Sequence, residues 1–248
     1  MTTVSSTPAP AEAPSGLVLY DLAGADAAVR FGPHCWKTRL ALAHKGLDVT
    51  TVPWRFHEKE AIAFSGQGLV PALRDGAHVV SDSWRIAEYL EASYPDRPSL
   101  FAGQAGLNLT RFVNSFSDTV LAPLLARVLI MDIHRCLAPA DQPYFRESRE
   151  ARFGMTLEQM VAAPEQALAA FRAALLPLRR TLQQHPFLTG SAPAYADYCV
   201  FGMFMWGRCV SPVELLATDD PLVVWHEALL DAFGGLGRAA SRAVHASA

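Results

Sequence analysis

The chain has 248 residues, of which 51% are hydrophobic and 18% charged, with a net charge of −3. That composition supports a buried core and excludes a disordered chain. Slight acidity without any polybasic run argues against nucleic acid and a membrane surface as partners. The longest apolar stretch, Tyr198 to Trp206, falls far short of the roughly 20 residues needed to span a bilayer, and reads as a buried helix. The four cysteines, Cys35, Cys136, Cys199 and Cys209, have neither disulfide-scaffold nor zinc-site spacing, so no metal is expected. Thr2 to Ser15 is rich in Ser, Thr, Pro and Ala, and residues 1–16 read as a disordered tail. The start lacks the basic and apolar regions of a signal peptide, which points to the cytoplasm and reduced thiols.

In chain order, Leu17 to Leu22 is short and apolar, a buried strand. Pro33 sits where a first helical turn favours proline, and Trp36, Leu40 and Ala43 recur on one helical face. Lys45-Gly46 is a stop signal. Asp48 to Trp54 is β-branched and reads as a second strand. Leu69–Arg74 and Ala77–Val80 flank Asp75-Gly76, a two-residue hairpin signal. Ile86, Leu90 and Tyr94 follow at helical spacing. The order β-α-β then β-β-α predicts a parallel pair with an antiparallel edge, a mixed four-stranded sheet. Pro95-Asp96-Arg97-Pro98 reads as a linker. Beyond it the period is helical over Gln104–Cys136, Gln142–Arg152, Glu165–Gln184, Asp197–Cys209 and Pro221–Phe233, with Pro123 expected to kink or break the first. The predicted organisation is a tail (1–16), an α/β domain (17–97) and an all-α domain (98–248).

Three places carry candidate chemistry. Val70-Pro71 opens a strand before a hairpin; a cis bond there would turn the Val70 peptide groups outward to an extended ligand, whereas a trans bond makes it an ordinary edge proline. Ser81-Asp82-Ser83 opens a helix, whose free N–H groups suit an anion. Ser83 suits a carboxylate and Asp82 an ammonium, together an α-amino-acid head group; plain N-capping explains the same residues. Gly32-Pro33-His34-Cys35 opens the first helix. There Cys35 is either a helix-activated thiol or a small buried hydrophobe.

The islands LVLYDL, FGPHCWKTRLALAHKGL, LVPALRDG, SDSWRIAEYLEASYPDRPSLF, YFRESREARFG and ADYCVFGMFMWGR, in this order, resemble the cytosolic glutathione S-transferase superfamily. Within it they look most like the bacterial β-aryl-etherase branch and its fungal relatives. The resemblance implies a thioredoxin-like α/β N-terminal domain that binds glutathione as co-substrate, followed by an all-α domain that lines the pocket of the second substrate. It also implies a homodimer and a role in detoxification. It makes Pro71 the cis-proline, gives Val70 main-chain bonds to the cysteinyl unit, and gives Asp82 and Ser83 the γ-glutamyl group. Gln67 is a further candidate, and Arg55, His57 or Lys59 would balance the glycyl carboxylate.

Two positions depart from that pattern. Gly32 stands where relatives carry the serine or cysteine that lowers the thiol pKa. His34 is a surface histidine or an assisting group. Ala194 stands where the buried sixth helix of the family has a hydroxyl or amide cap, a loss of about 1 kcal/mol, with Asp197 left to accept from backbone N–H groups. Phe112, Phe116, Met131, Phe204, Met205 and Trp206 are either a second-substrate lining or core. The expected activity is attack of the glutathione thiolate on an apolar, aromatic electrophile, in the etherase version displacing a phenol from an aryl ether. The rivals are a glutathione and aromatic-ligand binder without turnover, and a Cys35-dependent thiol transferase.

Overall fold

A computed structural model describes residues 16–244. The tail expected over residues 1–16 lies, Gly16 apart, outside the described residues. The first part runs β1 (Leu17–Leu22), α1 (Pro33–His44), β2 (Val49–Trp54), a 3-10 segment (Lys59–Ser65), β3 (Ala72–Asp75), β4 (His78–Ser81) and α2 (Ser83–Ser93). The sheet has the order β2-β1-β3-β4. β1 and β2 are parallel, while β3 runs antiparallel to both β1 and β4, so the sheet is mixed and thioredoxin-like as expected.

The hairpin loop falls one residue later than the sequence suggests. Asp75 pairs with His78, and the two-residue loop is Gly76-Ala77. Glycine takes the first central position with a φ of +55°, where a two-residue loop favours it. The Asp75 carboxylate, expected in the loop, accepts instead from the hydroxyls of Tyr89 (2.9 Å) and Tyr94 (2.5 Å).

The second part is helical: α3 (Gln104–Phe116), α4 (Ala122–Cys136), α5 (Gln142–Phe153), α6 (Leu157–Met160), α7 (Pro164–Ala174), α8 (Leu176–Leu182), α9 (Tyr195–Val210) and α10 (Leu222–Gly235). The expected long helix is interrupted by a π turn over Ser117–Leu121. Pro123 has no N–H to donate, and the hydrogen-bond ladder widens in the turn that precedes it. Glu165–Gln184 likewise divides at Leu175, because Pro177 belongs to the first turn of a new helix.

α1 departs from the amphipathic expectation. Cys35, Trp36, Lys37, Thr38, Leu40, Ala41 and Leu42 are all buried, so it is covered on more than one face. α9 supplies the second cover. All of its residues except Trp206 and Arg208 are buried. Gly202 permits the approach: a Cβ there would lie 2.6 Å from the Pro33 carbonyl oxygen. The missing cap at Ala194 is answered by Asp197, whose carboxylate accepts from the N–H groups of Ala194 (3.1 Å) and Leu188 (2.9 Å) and from the Trp225 indole (2.9 Å). Trp84, Phe101 and Tyr195 meet with centroids 5.5 to 5.9 Å apart, which joins the two parts through one core.

Lys45, only 1% exposed, closes the back of the junction. Its ammonium lies 2.6 Å from Glu91 and donates to the Tyr94 carbonyl (3.2 Å). Glu91 also accepts from the Leu100 N–H (2.9 Å) and the Ser99 hydroxyl. Burial alone would raise the Glu91 pKa, but the Leu100 N–H and Lys45 hold it below the usual carboxylate range. A depressed folded-state pKa contributes stability that is complete above the unfolded value of about 4.3 and is lost as pH falls through the folded value. Glu91→Gln is therefore expected to cost about 3 kcal/mol at neutral pH, because it strands a buried ammonium. It should also flatten the acid limb of stability against pH, as measured by denaturant unfolding from pH 7 to pH 3.

Candidate functional site

The C-terminal end of β1, the start of β3 and the N-termini of α1 and α2 converge at one end of the sheet. β1 residue Tyr20 pairs with Ala72, and Ala72 pairs with Ser81. The Asp82 N–H donates to the Pro71 carbonyl at 3.3 Å. Segments 32–34, 70–71 and 82–83 are thereby brought together by the sheet register.

The Val70-Pro71 peptide is cis. Among the described residues the Val70 N–H and carbonyl have no hydrogen-bond partner, so both remain available to an extended ligand. Asp82 caps α2 through Oδ1, which accepts from the N–H groups of Trp84 (3.0 Å) and Arg85 (3.1 Å). The capping reading thus accounts for one carboxylate oxygen. Asp82 holds a φ of +78°, sparsely populated for a residue with a Cβ, and its side chain is exposed. Ser83 is 4% exposed; its carbonyl accepts from the Tyr195 hydroxyl of α9 (2.7 Å), whereas its hydroxyl has no partner among the described residues. The Gln67 side-chain amide donates forward to the Leu69 carbonyl (3.0 Å), stiffening the approach to Val70.

Cys35 is 1% exposed, and its sulfur accepts from the Leu22 N–H at 3.5 Å. Burial and the neighbouring Asp21 carboxylate push its thiol well above the usual range. In this packing Cys35 sits as a small buried hydrophobe sits, with its sulfur turned away from solvent. Asp21 beneath it is fully buried between Arg30 (3.6 Å) and Arg39 (3.5 Å).

Of the three candidates for a glycyl carboxylate, Arg55 is committed to Glu58 and to the carbonyls of Gly24 and Ala25. His57 lies 2.8 Å from Asp141, and Lys59 lies over the Tyr144 ring at 4.7 Å. Phe204 and Met205 are core, at 2% and 0% exposure, whereas Phe112 is 73% exposed.

Sequence reading missed a polar network beneath α1. The fully buried Lys37 ammonium meets Asn114 (2.9 Å) and Asp118 (2.6 Å), and the Asn114 amide donates to Asp118 (3.0 Å). Asp118 belongs to the π turn and lies 3.9 Å from His34 Nδ1. The one local sequence signal was Asn114 and Asp118 at i, i+4. Among the described residues no group of three His, Cys, Asp or Glu side chains could hold a metal ion, and no helix is long and apolar enough to cross a membrane.

Comparison with known proteins matches this arrangement in both halves. Residues 31–93 match the family model of the glutathione S-transferase N-terminal domain, and residues 109–230 that of the C-terminal domain. A zeta-class glutathione S-transferase of Euphorbia esula is 41% identical over 70 residues, 26% of this chain, and one from Arabidopsis thaliana is 38% identical over 69 residues. The match spans 31% of the length of each of these relatives. A glutathione S-transferase of Ceriporiopsis subvermispora, solved in complex with glutathione, superposes with a TM-score of 0.79 at 23% identity, covering 89% of this chain and 98% of that one. A glutathione transferase of Phanerochaete chrysosporium superposes at 0.71 with 25% identity, covering 89% and 92%. With both domains matched in order, the chain belongs to the glutathione S-transferase superfamily.

Proposed function

We propose that this chain is a glutathione transferase that presents the glutathione thiolate to an apolar, aromatic electrophile. The carrying observation is the set of available groups at one end of the sheet: the Val70 peptide and the Ser83 hydroxyl, unpartnered among the described residues, and the exposed Asp82 side chain, which caps α2 through Oδ1 alone. They match glutathione feature by feature. A peptide backbone lies along Val70 beside Pro71, the γ-glutamyl carboxylate meets Ser83 and the α2 N-terminus, and the ammonium meets Asp82. Gln67 orders the segment before Val70. Lys59, held over the Tyr144 ring, suits the glycyl carboxylate better than Arg55 or His57, which are engaged by Glu58 and Asp141. The relative from Ceriporiopsis subvermispora was solved with glutathione bound, which supports the same ligand here.

The thiolate would attack an electrophilic carbon, which gains the C–S bond while its leaving group departs with the electron pair. In the etherase version the leaving group is a phenolate from an aryl ether. Leu109 and Phe112, 71% and 73% exposed and three residues apart on α3, support a homodimer, since a second copy would cover them. The cytoplasm remains the proposed location.

A binding protein without turnover is the second reading, and Gly32 favours it. A Cβ at Gly32 would lie 2.9 Å from the Cys35 sulfur and 3.0 Å from the Leu22 Cβ. The backbone is therefore fitted to glycine and does not simply lack a serine. Gly32→Ser is expected to destabilise by about 1–3 kcal/mol through overpacking and to leave turnover no higher. The same serine should cost less in a Cys35→Ala background, a coupling read from thermal or denaturant unfolding.

Calorimetric titration of reduced glutathione tests the site. Asp82→Asn keeps a good cap, so its stability should stay within about 0.5 kcal/mol, while its affinity falls about tenfold with the lost charge. Ser83→Ala should weaken binding similarly. Full affinity in both variants would remove these residues from the site. For the dimer, light scattering should report two chains, and Phe112→Glu one.

A further inference from the structure

We infer that a cavity beside α1, walled by Arg30, Arg39, Thr51 and Ser241, binds a small oxyanion such as phosphate, at a place separate from the glutathione site proposed above.

The charges around it do not cancel. The Arg30 and Arg39 side chains are only 12% and 19% exposed, and both face one carboxylate, the fully buried Asp21, at 3.6 and 3.5 Å. Among the described residues neither arginine has a second acidic partner. Asp26, the next acid along the same loop, turns instead to the Ala28 N–H at 2.8 Å. A guanidinium keeps its proton at any ordinary pH, so at least one positive charge is left over where water has little access.

The unused donors of both arginines border a cavity of about 270 Å³. Arg30 turns Nη1 towards Asp21 and donates from Nε to the Ala27 carbonyl at 2.6 Å, while Arg39 turns Nη1 towards Asp21. The Nη2 groups of both carry no hydrogen bond among the described residues and stay open. The Arg39 guanidinium is steadied 4.4 Å over the Trp36 ring, whose indole N–H donates to the Arg30 carbonyl at 2.8 Å. Thr51 and Ser241 add hydroxyls that have no partner among the described residues, and none of the described residues lining the cavity is an aspartate or glutamate.

The last wall comes from the far end of the chain. Phe233, at a φ of +54° that is unusual for a residue with a Cβ, turns the chain out of α10, and Leu236 to Ser241 then close the cavity. The Ala239 N–H on the Gly235 carbonyl (2.9 Å) and the Ala243 N–H on the Cys209 carbonyl (2.7 Å) fix that segment. Two planar guanidiniums with two hydroxyls suit the several acceptor oxygens of an oxyanion through charge-assisted hydrogen bonds. A water takes about 30 Å³ of liquid, so the cavity admits phosphate and part of a small molecule that carries it. Thr51 lies on β2, across β1 from β3, at whose start Pro71 stands, so the cavity and the glutathione site fall on different sides of β1. A bound oxyanion offsets the excess charge and ties the segment after α10 to α1 and β2.

The test is thermal unfolding of the full chain against inorganic phosphate, with ionic strength held constant by sodium chloride. At 20 mM phosphate the Tm should rise by about 3 °C or more, as expected for a Kd on the order of 1 mM. Arg39→Gln should remove most of that rise. Ser241→Glu supplies a carboxylate to the cavity, so it should raise the Tm of the phosphate-free protein and abolish the response to phosphate; it decides the matter if Arg39→Gln does not fold. Ser83→Ala, at the other anion site, should keep the full response. Stronger stabilisation by glycerol 3-phosphate than by phosphate supports the site with a small phosphoester as its occupant, and the reverse supports it with the free ion. A response no larger than that to chloride, an equal response in Ser241→Glu, or its loss in Ser83→Ala overturns the proposal.

Discussion

The close contact between α1 and α9 is the constraint on which the rest of the molecule depends. It exists because Gly202 lets the Pro33 carbonyl approach to a distance that any side chain would forbid. α9 is buried almost throughout, as a helix apolar on all sides must be. From that position it also reaches α2, through the Tyr195 hydroxyl on the Ser83 carbonyl, and the end of α1, through Tyr198 on His44 at 2.7 Å. One helix of the second domain thus holds both helix N-termini that form the candidate site in the first.

Burying α1 on more than one face has an electrostatic consequence. Lys37 cannot reach water and must be neutralised inside the protein. Asn114 and Asp118 do this from 77 and 81 residues away. The π turn before Pro123 carries Asp118 to that place, so an irregularity in a helix serves a charge that the fold has trapped. The same carboxylate then comes within reach of His34.

The site tolerates two features that would be faults elsewhere. Asp82 holds a left-handed φ although it has a side chain, and the Val70 peptide groups go unpaired within the chain. Both are local costs confined to the point where a ligand's backbone and charged head would meet the protein. Gly32 is different in kind. Its missing side chain is required by Cys35 and Leu22 behind it, so the loss of the usual hydroxyl and the packing beneath α1 are a single feature.

Much of this was legible in the chain itself. β1, α1, β2, the hairpin and α2 were readable because short apolar and β-branched runs, the Gly46 stop, a glycine-containing turn and the Asp82 cap are local signals. Val70-Pro71 and Asp82-Ser83 stood out for the same reason, and the family motifs supplied the roles proposed for them. The sequence also marked Cys35 as either activated or buried. Its burial depends on the packed structure, which brings Asp21 and Leu22 around its sulfur. Helix breaks at the π turn and at Leu175 were blurred because apolar periodicity continues across them. Burial of Lys37, its partners and the setting of His34 were illegible: they arise where α1, α9 and the π turn meet, and no local pattern records which distant segment will cover a given face. The chain by itself determined its elements and the residues that bear chemistry; tertiary packing decided which of those residues lie open at the end of the sheet and which face one another.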